Sequence, residues 1–174
     1  MQGLIHIYTG NGKGKTTAAV GLAVRCSGSG EQVVFAQFLK NNRSSERNIL
    51  EKIPEIHLVS SEKIYGFYKN LSEKQKAEAK VTYTKLLESA IHKVAETNSR
   101  MLILDEIIGA YNHDLVDRGL LVRYLKEKPE SLEIVLTGRN PESSLMELAD
   151  YVSDIQKIKH PFDRGIPARK GIEK

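Results

Sequence analysis

The 174-residue chain predicts an α/β fold, a mostly parallel sheet flanked by helices within a single domain spanning 1–174. Three observations carry this reading. Short apolar runs alternate with longer helix-forming stretches, the pattern of parallel strands joined by crossover helices. Several runs are almost continuously apolar, as strands covered on both faces are. The first run, Leu4-Ile5-His6-Ile7-Tyr8, passes through a glycine-rich turn into an alanine-rich stretch (Ala18, Ala19, Val20, Leu22, Ala23, Val24). That is a complete strand–loop–helix unit.

Strands are expected at 4–8, 33–38, 56–59, 101–104, 133–137 and 152–158. The longest helix is expected over about 72–97, where Ser72 and Gln75 stand at capping-box spacing. Tyr83, Leu86, Leu87, Ala90, Ile91 and Val94 then recur with helical period and form one core-facing stripe. Shorter helices are expected around 115–126 and 143–149. The polar segment 41–47 and the basic, Gly- and Pro-containing tail 159–174 read as loops. No internal repeat and no interdomain linker is visible.

With 40% hydrophobic and 28% charged residues, the chain is expected to be a soluble globular protein. No run approaches the roughly 18 apolar residues of a membrane span. Met1-Gln2-Gly3 leads straight into the first strand without a secretory pattern. The one cysteine, Cys26, has no internal disulfide partner and is expected as a small buried thiol near the end of the first helix. These features favour the cytoplasm. The net charge of +4 suits a polyanionic ligand without pointing to nucleic acid.

Residues 9–17 read Thr-Gly-Asn-Gly-Lys-Gly-Lys-Thr-Thr, a variant of the phosphate-binding loop G-x-x-x-x-G-K-[ST] with Thr9 at its first position. Glycines let successive backbone N–H groups turn toward phosphate oxygens. The helix N-terminus adds partial positive charge, Lys15 a full one, and Thr16 a hydroxyl for Mg²⁺. The run Met101-Leu102-Ile103-Leu104-Asp105-Glu106 ends a strand in two carboxylates, either of which would hold Mg²⁺ beside such a loop. Leu136-Thr137-Gly138-Arg139 ends another strand, and Arg139 would neutralise terminal phosphates with its fork of donors. The five histidines show no metal-ligand spacing, and no nucleophile–base constellation is apparent.

Further segments make the chain resemble the corrinoid adenosyltransferase family (ATP:cob(I)alamin or cob(I)yrinic acid a,c-diamide adenosyltransferase). They are the T-G-N-G-K-G-K-T-T loop, Gln37-Phe38-Leu39-Lys40, Glu46-Arg47-Asn48, Leu104-Asp105-Glu106 and Leu136-Thr137-Gly138-Arg139. The tail Lys159-His160-Pro161-Phe162-Asp163-x-Gly165-Ile166, continued by Ala168-Arg169-Lys170-Gly171-Ile172-Glu173, completes the set. The resemblance covers essentially the whole chain. It implies a P-loop NTPase-like, recombinase-like fold and transfer of the 5′-deoxyadenosyl group of ATP to cob(I), with release of triphosphate. Cob(I) carries no proton, so no general base is needed. The resemblance also implies ATP held reversed relative to ordinary P-loop enzymes, exposing C5′.

By the same resemblance the nucleotide site comprises Gly10, Asn11, Gly12, Lys13, Gly14, Lys15, Thr16 and Thr17. The Mg²⁺ (or Mn²⁺) site comprises Thr16 and Glu106, with Asp105 adjacent. Lys15, Glu106 and Arg139 are the candidate catalytic residues. Family members use aromatic side chains to displace the lower axial ligand of cobalt. The matching region is Ile64-Tyr65-Gly66-Phe67-Tyr68, with Phe67 and Tyr68 as candidates; the chain has no tryptophan. The family implies a homodimer and allows a flavoprotein-type reductant, with no membrane and no nucleic acid as partner.

Two other readings stay open at this stage. One is a P-loop ATPase or small-molecule kinase with Glu106 acting on water or an acceptor hydroxyl. The other is a nucleic-acid-stimulated ATPase using Lys159, Arg164, Arg169 and Lys170. Against the latter, only 6% of residues are aromatic, and no Arg/aromatic interleaving forms a stacking platform.

Overall fold

A computed structural model describes residues 2–40, 44–61, 63, 65 and 68–173. Six strands form one parallel sheet: β1 (Ile5–Thr9), β2 (Val33–Gln37), β3 (Ile56–Val59), β4 (Met101–Asp105), β5 (Glu133–Thr137) and β6 (Tyr151–Asp154). Their spatial order is β3-β2-β4-β5-β1-β6, every neighbouring pair parallel. All six expected strands are present. The last stops at Asp154 instead of reaching residue 158. Its partner β1 turns away at Gly10 (φ 101°), so the regular ladder ends there and the chain beyond Asp154 packs against the glycine-rich loop instead.

Alternation along the strands divides the interior into two layers. Val33 and Phe35 of β2 and Met101 and Ile103 of β4 point to one face, packed with Ala19 and Ala23 of α1 (Lys15–Ser27). Val34, Ala36, Leu102 and Leu104 point to the other, packed with the helix stripe Tyr83, Leu87, Ala90 and Val94. This double covering is why the strands read as unbroken apolar runs.

The long helix, Glu73–Thr97, is capped as its sequence predicts. The Ser72 hydroxyl accepts from the Gln75 amide, and the Gln75 side chain accepts from the Ser72 amide. Five members of its stripe are buried, and Ile91 is half-buried. Cys26 is half-buried in α1 rather than fully enclosed.

The structure differs from expectation at several helix ends. The helix expected from residue 115 begins at Arg118 (Arg118–Glu127), because Asp117 accepts from the Leu120 amide and caps it there. The helix expected over 143–149 is a single turn, Ser143–Met146. Two short α-helices were not foreseen: Arg47–Leu50, beginning inside a segment read as loop, and Ile107–Asn112 directly after the acidic pair. Four and six residues are too few for a periodic signal, and such turns persist through packing rather than propensity. No helix among the described residues is long and apolar enough to cross a membrane.

Candidate nucleotide and metal site

The sheet's register brings the functional segments to one edge. Tyr8 stands opposite Thr137, Leu104 opposite Leu136, and Gln37 opposite Asp105. The glycine-rich loop after β1, Gly138-Arg139 after β5, the acidic pair after β4 and Gln37–Lys40 after β2 therefore leave the sheet side by side. Ligands of parallel α/β folds gather at this carboxyl-end edge. The strand β5 lies between the loop strand and the acidic strand.

The loop itself is shaped by its glycines. Gly14, at φ 127°, is the residue before α1 and leads into Lys15, the first helical position. The first-turn amides of α1 have no intrahelical acceptor and face outward for an anion. Gly12 donates its amide to the Ile155 carbonyl at 2.7 Å, and a Cβ there would lie 2.6 Å from that oxygen. The loop thus presses against the segment following β6, which Asn11 also holds by accepting from the Lys157 amide at 2.9 Å. Gly10, Asn11, Asn140, Asp154, Gln156 and Lys157 line an open groove of about 360 Å³ beside the loop. Lys13 and Thr17 are exposed.

Lys15 is buried and curls over the loop, donating to the carbonyls of Gly10 (2.7 Å) and Gly12 (2.9 Å). Desolvation lowers its pKa below the ordinary lysine value, and the nearby charge of Arg139 lowers it further. Arg139 is itself exposed.

Asp105 is fully buried and accepts from four groups. Thr16 Oγ1 (2.9 Å) and Thr137 Oγ1 (2.7 Å) donate to its Oδ1; Lys40 Nζ (2.7 Å) and Gln37 Nε2 (3.3 Å) donate to its Oδ2. Thr137 also accepts from the Glu106 amide at 2.9 Å, anchoring a residue that adopts the left-handed conformation (φ 61°). A non-glycine residue held there costs energy that surrounding contacts must offset. Burial raises the Glu106 pKa, and neighbouring Asp105 raises it further. Close packing around the turn demands glycine at 138, where a Cβ would lie 2.6 Å from Ile108 Cβ; one on Gly109 would lie 2.9 Å from Leu39 Cδ1, the flexible end of a side chain.

The donor set of Thr16, Asp105 and Glu106 is entirely oxygen, which suits a hard divalent ion. An ammonium already bridges Thr16 Oγ1 and Asp105 Oδ2, so the place accepts a cation. Among the described residues no cluster of three or more His, Cys, Asp or Glu side chains could hold a metal alone. Mg²⁺ sites need no such cluster, since they combine one or two carboxylates with phosphate oxygens and water.

Sequence reasoning missed Lys40, Thr137 and Gln37 as members of this constellation. Each stands in a segment already singled out, yet a lone Lys, Thr or Gln at a strand end carries no chemical signature. The aromatic region fares differently. Phe67 lies outside the described residues, as do Ile64 and Gly66. Tyr65 is core, its hydroxyl hydrogen-bonded to Thr82 Oγ1 at 3.0 Å. Tyr68 is half-buried, stacked on His113 with ring centroids 4.1 Å apart and with Lys76 Nζ 4.8 Å from its ring centroid.

Known proteins resemble this chain in sequence and in fold. The family model of ATP:corrinoid adenosyltransferase BtuR/CobO/CobP matches residues 1–173. A corrinoid adenosyltransferase of Sinorhizobium sp is 36% identical over 99% of this chain and 80% of its own length. One from Escherichia coli K12 is 34% identical over 99% of this chain and 86% of its own. Among solved structures, a KaiC-like protein from Pyrococcus horikoshii superposes with a TM-score of 0.56 at 19% identity, covering 91% of this chain and 75% of that one. The last likeness shows the fold alone.

Proposed function

Because the chain belongs to the ATP:corrinoid adenosyltransferase family, we propose that the loop 9–17, Lys15, Thr16, Glu106 and Arg139 carry the transfer of the 5′-deoxyadenosyl group of ATP to a reduced corrinoid. The family's reaction is ATP-dependent adenosylation of corrinoids. The observation that supports this site is the shared sheet edge, where the phosphate loop, both acids and Arg139 leave adjacent strands in register.

In the proposed step the cob(I) electron pair attacks C5′ of the ribose. A Co–C bond forms, the C5′–O bond breaks, and triphosphate leaves with the electron pair. No proton is abstracted from the nucleophile, which suits a site whose buried acid, Asp105, is tied to two hydroxyls and an ammonium rather than poised over water. Lys15, released from the Gly10 and Gly12 carbonyls, and the first-turn amides of α1 would bind the leaving triphosphate. Arg139 would add charge from the β5 side. Positioning and charge neutralisation of this kind supply most of the barrier reduction. Thr16, Asp105 and Glu106 would hold Mg²⁺. When bound, that ion would neutralise charge on the phosphates. Thr137 acts at one remove, fixing Asp105 and the Glu106 backbone together.

Tyr68 is the described aromatic we assign to the corrin face. We further propose cytoplasmic location, a homodimer, and an external reductant of flavoprotein type for the corrinoid.

The test is to mix protein anaerobically with ATP, Mg²⁺ and chemically reduced cob(I)alamin and follow the corrin spectrum. Light-sensitive adenosylcobalamin should form with triphosphate in step, and Lys15→Ala should lose roughly 100-fold or more of the rate. An unchanged corrin spectrum with release of phosphate would replace this proposal with a P-loop hydrolase.

A further inference from the structure

We infer that Lys40 holds the divalent-ion position with its own ammonium and yields it when a metal-bound triphosphate arrives, so that metal enters with nucleotide rather than alone. The inference rests on the metal site proposed above.

Lys40 Nζ lies 2.7 Å from Asp105 Oδ2 and 2.8 Å from Thr16 Oγ1, bridging two of the three proposed metal donors. The ammonium is a compact cation with three donors on a flexible stem, and it can leave. Its partner cannot: Asp105 is 0% exposed, whereas the Lys40 side chain remains 25% exposed. The backbone directs this contact. Leu39 adopts a left-handed conformation (φ 54°), rare for a bulky residue, which turns the chain at the end of β2. Leu39 packs on Gly109, in the helix directly following Glu106, so the turn is locked to the acidic segment.

A second position is ready for the ammonium. Glu46 Oε1 lies 4.0 Å from Lys40 Nζ and is held by Gln37 Nε2 at 2.9 Å. Gln37 thus spans the two carboxylates between which Lys40 would move.

Two cations cannot share Thr16 Oγ1 and Asp105 Oδ2. A free divalent ion must displace a tethered ammonium while gaining few protein ligands. With ATP the ion brings phosphate oxygens of its own, and the ammonium gains anionic partners. Metal and nucleotide affinities are then coupled, and the coupling is reciprocal.

The test is Mn²⁺ binding read by electron paramagnetic resonance, with and without ATP, on wild type, Lys40→Met and Lys40→Gln, with thermal melts confirming folding. Without ATP, the neutral variants should bind Mn²⁺ about tenfold or more tightly than wild type. With ATP the difference should shrink to about threefold or less. Glu46→Gln, which weakens the second position, should leave Mn²⁺ binding with ATP several-fold weaker than wild type. If wild type binds Mn²⁺ with ATP and the neutral Lys40 variants match it in both conditions, the inference fails and the metal site stands. If no protein binds Mn²⁺ in either condition, both fail. Failure of both Lys40 variants to fold would make the residue a structural ion pair and overturn the inference.

Discussion

Replacing Thr137 by valine isolates one hydroxyl that links the two acids. The residue is fully buried, and its Oγ1 donates to Asp105 Oδ1 at 2.7 Å while accepting from the Glu106 amide at 2.9 Å. Valine has nearly the same volume, so no cavity term arises. The buried carboxylate loses one of four donors, worth about 1.5–3 kcal/mol for a bond to a charged group. The Glu106 amide loses its acceptor, worth roughly another 1 kcal/mol. The sum, about 3 kcal/mol, corresponds to a melting temperature lower by roughly 6–12 °C for a domain of this size. Thr137→Ser keeps the hydroxyl and removes one methyl, at a cost of about 1 kcal/mol. Calorimetric melts of the three proteins at neutral pH make the comparison. Valine melting within about 2 °C of wild type, or serine falling as far as valine, would refute the assignment of this energy to the hydroxyl.

Glu106→Gln should stabilise the protein at alkaline pH. Because the folded carboxyl titrates above its ordinary value, the unfolded chain ionises first as pH rises, and stability is lost through the raised folded pKa. Melting temperatures at about pH 8 and about pH 4 should show a gain that fades on acidification; an equal gain at both would sink the argument. Gly12→Ala places a Cβ 2.6 Å from the Ile155 carbonyl oxygen, and the resulting shift should weaken ATP binding about tenfold or more by calorimetric titration, with wild-type affinity as the contrary result. Tyr68→Ala should slow adenosylation from cob(II)alamin plus reductant more than from prereduced cob(I)alamin; equal losses would remove Tyr68 from the reduction step.

Much of the site was legible because its chemistry is local. The glycine-rich loop, its lysine and its threonine are consecutive in the chain, and phosphate binding by backbone amides needs that contiguity. Strands covered on both faces must be apolar at every position, so the sheet announced itself along with its edge, where Asp105 and Arg139 follow apolar runs. The Ser72–Gln75 cap marked the start of the long helix for the same reason: the interaction spans three residues.

What the chain order could not disclose are contacts between segments far apart in sequence. Asp105 was legible as an acid beside a loop, but its donors come from residues 16, 37, 40 and 137, on three segments far apart in the chain. The burial that makes those bonds strong, and that raises the Glu106 pKa, belongs to the packed site and to no stretch of sequence. The left-handed turns at Leu39 and Glu106 are equally silent, since neither residue type favours that conformation and only surrounding contacts hold it. Sequence alone determined the sheet, the loop and the identity of the charged groups; tertiary structure decided which cation faces which anion, because strand order and register set those distances.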